Sequence, residues 1–180
     1  MKSEIIRRIV IIGNSGGGKT TLSRRLHRIH QLPLFHVDSI QFLPGMQIRN
    51  HHESIAVLTD IQNQENWIIE GYGPLDILEK RLALADRVVF IDFPLWKHMY
   101  WSLKRQLYYL ITRSQRAELP DNCFEGTWSQ TRRLFKSIRN VHYQMRPEMM
   151  RILSRENLKP KVQHINNQKQ WNLLYQSGLK

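Results

Sequence analysis

The chain is predicted to fold as one α/β domain whose parallel sheet is covered by helices on both faces. Three observations predict this. Short β-rich runs alternate with amphipathic stretches at helical spacing, the pattern that βαβ units leave in a sequence. The first β-rich run passes through a glycine-rich turn straight into a basic amphipathic segment. The 180 residues, 41% of them apolar, suffice for one domain with a real core and at most a small appendage.

Each element follows from its local pattern. "EIIRRIVIIG" (4–13) reads as a buried strand, and Lys19 to His30 as a helix with Leu22, Leu26 and Ile29 at helical steps. "LPLFHVD" (32–38) is a second strand, opened by Pro33 where no ladder donor is lost. Residues 52–64 form a helix marked by Ile55, Leu58 and Ile61. "NWIIEG" (66–71) is a third strand, stopped by Gly71 and Gly73-Pro74. A helix over 75–85 and a fourth strand, "DRVVFIDF" (86–93), follow before Pro94.

Two long helices come next. Trp96, Tyr100, Leu103, Leu107 and Ile111 mark the expected core face of the first. Leu134, Ile138, Val141, Met145 and Met149 mark the second, with a kink or break expected at Pro147. Between them "TRSQRAELPDNCFEG" (112–126) is polar and turn-rich and reads as a mobile loop. "KVQHI" (161–165) is a last strand and 167–176 a closing helix. Neither linker nor repeat divides the chain, so residues 1–180 read as a single domain with an excursion near 112–127.

Composition narrows the function. No apolar run approaches the ~20 residues that cross a bilayer, and "MKSEIIRRIVIIG" lacks a small-residue cleavage site. No membrane partner is therefore expected, and the cytoplasm is the default compartment. Cys123 is the only cysteine, which excludes an internal disulfide and a cysteine metal site. Of the lone histidines, His36 reads as lining the sheet or the cleft, and the pair His51-His52 as a polar helix start without the carboxylate or cysteine partners of a metal site. The net charge of +12 calls for polyanionic partners. It reads as solvated helix faces plus cations crowded around a phosphate site. A nucleic-acid surface is not favoured, because no helix-turn-helix, zinc or RNA-binding signature accompanies the charge.

"GNSGGGKT" matches G-x-x-x-x-G-K-[ST] from Gly13 to Thr20, with a strand before it and a helix after. Backbone N–H groups of Gly13, Asn14, Ser15, Gly16, Gly17 and Gly18 can turn inward around a phosphate, helped by the positive end of the next helix. Lys19 reaches the β- and γ-phosphates, Thr20 offers a hydroxyl to Mg²⁺, and Thr21 completes the loop. The expected ligands are ATP and Mg²⁺. No N/T-K-x-D stretch reads a guanine base, and the chain is short for a motor ATPase, so a small P-loop kinase fits best. Acidic candidates stand at carboxyl ends of strands, where open α/β sheets bind ligands. These are Asp38, Glu70 and, ranked below them, Asp92.

"GNSGGGKTTLSRRL", "LFHVDSIQFLPG", "WIIEGYG", "ADRVVFIDFPLW" and "RAELPDNCFEG" together resemble the small bacterial DNA topology modulation proteins, relatives of adenylate and shikimate kinases. The likeness runs to about Pro147 in five ordered blocks. It implies a nucleoside-monophosphate-kinase-like P-loop fold, a five-stranded parallel sheet of order 2-3-1-4-5 and a movable lid. It also implies that Asp38 binds the acceptor or acts as base, and that Glu70-Gly71 stands where an Asp-Gly pair holds a Mg²⁺-bound water; the acceptor is expected between Asp38, Glu70-Gly71-Tyr72 and the lid. Relatives commonly read Asp-Gly-Asn-Tyr there, so Glu70-Gly71-Tyr72 is a departure. Arg105 falls where such proteins bring an arginine to the phosphates.

Arginines supplied by a closing lid stabilise the charge that spreads over a transferring phosphoryl group. Arg105, Arg113 and Arg116 flank the 112–127 excursion and are the candidates, while Arg132, Arg133 and Arg139 on the next helix read as a solvated face. The expected activity is transfer of the γ-phosphoryl of ATP to a small acceptor. Asp38 favours a hydroxyl metabolite, and the basic lid favours a nucleotide. The alternative is a nucleic-acid-associated ATPase or regulator affecting DNA topology.

Overall fold

The computed structural model describes residues 5–123 and 127–179. In chain order its elements are β1 (Arg8–Gly13), α1 (Lys19–His30), β2 (Leu34–His36), α2 (Val37–Gln41), β3 (Phe42–Leu43), β4 (Gln47–Ile48), α3 (His51–Gln62) and β5 (Trp67–Glu70). There follow α4 (Leu78–Leu84), β6 (Arg87–Ile91), α5 (Leu95–Thr112), α6 (Trp128–Asn140), α7 (Arg146–Leu153), β7 (Val162–Ile165) and α8 (Gln168–Ser177). Five strands make one parallel sheet in the order β2-β5-β1-β6-β7. Numbered among themselves along the chain, these strands run 2-3-1-4-5, as the resemblance implies. β1 lies at the centre, so the loop that follows it opens in the middle of the sheet edge.

Alternation along the strands builds two cores. Val10 and Ile12 of β1, with Ile69 and Phe90, face a layer containing Leu58, Leu82 and Ile152. Ile9, Ile11, Ile68 and Val89 face Leu22 and Leu26 of α1 and Leu174 of α8. Because both faces are covered, β1 reads as one unbroken apolar run. Each fully buried Ile contributes about 1.5–3 kcal/mol of transfer free energy.

Local details depart from the sequence reading. The second strand ends at His36, and Asp38 stands in the first turn of α2. A small antiparallel hairpin, β3–β4, follows it, with Gly45 at φ +76° in its turn. Elements of two to five residues carry no periodicity, so nothing in 37–48 announced them. Pro147 sits in the first turn of α7, where it removes no needed donor, after a π-helical turn at Val141–Met145.

The largest correction concerns α5. Its expected core stripe faces outward: Trp96 is 68% exposed and Ile111 80%. The buried face is polar, formed by His98, Ser102 and Gln106. The physical reason lies in what α5 packs against. His98 Nδ1–H donates to the Ser15 carbonyl at 2.9 Å, and Gln106 Oε1 accepts from the Thr131 hydroxyl at 3.3 Å. α5 thus packs at its start against the backbone of the glycine-rich turn, which takes a hydrogen bond from His98, and further along against a buried hydroxyl of α6, which donates one to Gln106.

Candidate active site

β1 ends at Gly13, whose φ of +144° starts the glycine-rich turn. A Cβ there would come 2.3 Å from the Ile91 carbonyl oxygen on the neighbouring strand. At Gly16 (φ +74°) a Cβ would meet the His98 carbonyl at 2.5 Å and the Ser102 hydroxyl at 2.6 Å. Glycine is thus required twice, by conformation and by space. Asn14 locks the turn from below: its side-chain N–H donates to the Ile138 carbonyl at 2.8 Å, and its Oδ1 accepts from Ser15 N at 2.8 Å. The turn feeds into α1, whose first turn carries no acidic side chain, so its positive end is left for an anion.

Lys19 and Glu70 bracket this mouth. Lys19 Nζ donates to the Asn14 carbonyl at 3.2 Å and lies 3.7 Å from Glu70 Oε1. Glu70, at the end of β5, accepts from the Thr20 hydroxyl at 3.2 Å and from His36 Nδ1 at 2.9 Å. Burial by itself would raise the Glu70 carboxyl, but the His36 hydrogen bond, the Lys19 charge and the Thr20 hydroxyl outweigh it. Glu70 titrates below the usual carboxylate range and stays ionised.

A cavity of about 490 Å³ opens over the turn. Ser15 to Thr21 and Glu70 line one side of it, and Asp38, Arg24, Arg116 and Glu118 another. Trp101, Arg105 and Tyr109 of α5 form a third wall. They recur every four residues, the one-face spacing of a helix. Phe93, Gln168 and Trp171 complete the lining. Arg116 is buried, donates to Asp38 Oδ2 at 3.2 Å and lies 3.7 Å from Glu118, which accepts from Arg24 at 3.0 Å. These charges tie the lid segment to α1 and α2.

Most of the expected site residues therefore meet in one cavity, but not all. Gly13 and Asn14 shape the turn without lining it. Gly71 and Tyr72 turn away: with Gly71 at φ +119° the backbone leaves the mouth, and Arg81 Nη1–H holds both their carbonyls, at 2.9 and 3.0 Å. Tyr72 packs against the core and borders a separate small cavity beside Asp92, where burial and the Asp92 charge push its phenol pKa up. Arg113 caps α5 in a left-handed conformation, is exposed and lines no part of the main cavity. Asp92 is engaged by Arg146 (2.8 Å at one oxygen) and His164 (2.9 Å), so it acts as a clamp between strand and helix.

The 112–127 excursion is docked on the β3–β4 hairpin through its described part. Gly45 N donates to the Asp121 carbonyl at 3.2 Å, and Met46 N to Cys123 Sγ at 3.3 Å. Cys123 is buried, and its thiol faces the Leu43 carbonyl. Residues 124–126 of the expected lid lie outside the described residues.

His98, Arg24, Trp101, Tyr109 and Glu118 were not singled out from the sequence. The spacing of Trp101 and Tyr109 about Arg105 was the one signal available for any of them. His98 is 1% exposed; burial, with smaller help from Lys19 and His142, lowers its pKa from 6.5 to about 4 against the pull of the Ser15 carbonyl and Asp92. As pH falls from 6.5 towards 4, the unfolded chain binds a proton that the folded protein refuses. The stability His98 confers is complete above 6.5 and lost through this window, by up to about 3 kcal/mol. Urea unfolding measured across it is expected to show that loss, and His98→Gln to flatten the slope. Parallel curves for the two proteins would refute it.

The residues suit a nucleoside triphosphate and a hard cation. Glycines whose Cβ positions are already filled bring backbone amides against any ligand, and an ammonium stands at the mouth. The Thr20 hydroxyl and Glu70 carboxylate give adjacent oxygen donors. Among the described residues no group of three or more His, Cys, Asp or Glu could cage a metal. Mg²⁺ needs none, since substrate phosphates and water supply most of its ligands.

No protein-family model matches the chain, and no curated protein matches it in sequence. Solved shikimate kinases resemble it in shape. That of Acinetobacter baumannii, in complex with shikimate, superposes with a TM-score of 0.52 at 16% identity, over 98% of this chain and 97% of that one. Those of Bacteroides thetaiotaomicron (TM-score 0.46, 16% identity, 95% of each chain) and Aquifex aeolicus (0.39, 21%, 75% and 80%) are similar more loosely. At these identities the likeness concerns architecture. The chain has an α/β P-loop fold, a five-stranded parallel sheet flanked by helices, like that of the Acinetobacter enzyme.

Proposed function

We propose that the protein is an ATP- and Mg²⁺-dependent phosphotransferase acting on a small acceptor. One observation carries the reading: a single cavity of ligand size holds the phosphate turn on one side and Asp38, Arg116 and Glu118 on another. A nucleotide-binding switch has no need of acidic and basic groups across from its phosphate turn. A kinase does, because two substrates must meet there.

The residues divide the work. The backbone of Ser15 to Thr20 and the Lys19 ammonium bind the phosphates, and Lys19 with Arg116 and Arg105 balances the charge that develops during transfer. Thr20 and Glu70 are the residues that would hold Mg²⁺, which when bound would neutralise phosphate charge. Asp38 orients an acceptor hydroxyl and takes its proton as the oxygen bonds to phosphorus and ADP leaves. The lid segment, docked on the hairpin, keeps water from competing. Arg113 would join only through a movement of the lid. The sequence resemblance to the DNA topology modulation proteins and the basic lid favour a nucleotide as acceptor, and Asp38 favours a hydroxyl metabolite.

ADP release, coupled to a spectroscopic readout, tests this against nucleoside monophosphates, nucleosides, polyols and hydroxylated acids. At least one acceptor is expected to raise the rate roughly a hundredfold or more over hydrolysis by water. A rate equal to hydrolysis with every acceptor would count against a kinase. Retained ATP binding alongside DNA-stimulated turnover would favour the ATPase reading instead.

A further inference from the structure

The outward face of α5 is unaccounted for by the site. Trp96, Tyr100, Leu103, Leu107, Leu110 and Ile111 are 42–80% exposed. At about 100° per residue they fall on one arc of the helix, roughly 22 Å long from end to end. Trp101, Arg105 and Tyr109, which line the cavity, lie about half a turn away. Lys104 borders the apolar arc by the same geometry. Besides the cavity-facing Arg105, α5 carries Lys97 and Lys104, α6 carries Arg132, Arg133, Lys136 and Arg139, and neither helix contains an aspartate or glutamate. Trp128, opening α6, is 83% exposed.

We propose that this face docks the protein on an anionic lipid surface, with the Trp96–Ile111 stripe in the headgroup–acyl boundary. Charge complementarity selects the occupant. A second copy pairing through the same face would bring acid-free basic helices against each other, which like-charge repulsion opposes. Four of the six stripe residues are aliphatic, which hydrocarbon accommodates and nucleobase stacking does not use. The stripe lies on a convex single helix, suited to a yielding bilayer boundary, and tryptophan, tyrosine and lysine at its rim are the residues such boundaries favour. Among the described residues no helix is long and apolar enough to cross a membrane. The contact is peripheral, a membrane partner not expected from a sequence without a crossing segment, and it leaves the cavity, on the opposite side of α5, open to solvent.

Flotation with vesicles tests this, using phosphatidylcholine alone and phosphatidylcholine with about a third phosphatidylglycerol, at about 0.1 M salt. The full chain is expected to float with the anionic vesicles and stay behind with the neutral ones. The double variant Leu107→Glu, Ile111→Glu is expected to lose roughly tenfold or more of the bound fraction, with its circular dichroism and ATP binding retained. Equal flotation of the two proteins would overturn the proposal, since charge alone would then suffice. Absence of flotation by the unaltered protein would overturn it too. So would a sedimentation dimer dissolved by the double variant, which would give the face to a second copy. Quenching of tryptophan emission by spin-labelled anionic vesicles, measured on the unaltered protein, gives a reading that does not depend on the variant folding. Undiminished emission would sink the idea.

Discussion

Replacing Lys19 with alanine is expected to weaken ATP binding about 10- to 100-fold, or about 1.4–2.8 kcal/mol, and to cut turnover about 10²- to 10³-fold. The ammonium is largely buried and bound to the turn itself through the Asn14 carbonyl, so it is placed before any ligand arrives. Its removal deletes a charge-assisted contact to phosphate and also strips Glu70 of its nearest formal cation. The Glu70 carboxyl would then titrate higher, since burial already pushes it up, and the Thr20–Glu70 pair proposed to hold Mg²⁺ would be weakened along with it. Calorimetric titration with ATP and Mg²⁺ measures the first effect and coupled ADP release the second. Unchanged heats would remove the phosphate site from Gly13–Thr21, and with it the functional reading.

Asp38→Ala is expected to have the opposite signature. Turnover should fall about 10²- to 10⁴-fold, the range for loss of a general base, while ATP affinity stays within about twofold. Asp38 faces the cavity from α2, and its hydrogen-bond partner is Arg116 on the lid segment rather than any group of the glycine-rich turn. Its side chain is half exposed, so the loss of that ion pair costs little stability. A kcat defect with preserved nucleotide affinity therefore reports acceptor chemistry rather than folding. Turnover equal to the unaltered protein would dismiss Asp38 as base and leave the acceptor to the arginines.

Much of the site was legible in the chain because it is local. Gly13 to Thr21 is one continuous stretch whose chemistry depends on which residues lack side chains and which carries an ammonium. The same locality made the strands readable, since a strand buried on both faces must be apolar throughout. Glu70 was found by the rule that ligands meet the carboxyl ends of strands. Tyr72, two residues on, was expected beside the acceptor from the resemblance, but a left-handed turn at Gly71 and the grip of Arg81 carry it away from the mouth. Only the fold reveals such a turn.

What the amino-acid order by itself determined is the α/β class, the parallel strands and a glycine-rich turn after the first of them, all consequences of short-range periodicity and backbone freedom. Tertiary structure alone decided which way α5 faces, which arginine meets Asp38 and which carboxylate is consumed by a clamp. Those outcomes depend on partners far away in the chain: Ser15 draws His98 inward, and Arg146 and His164 occupy Asp92. An amphipathic helix with polar residues on one face and apolar residues on the other is symmetric to a sequence reader. The backbone groups it must satisfy break the symmetry, and they exist only once the sheet has formed.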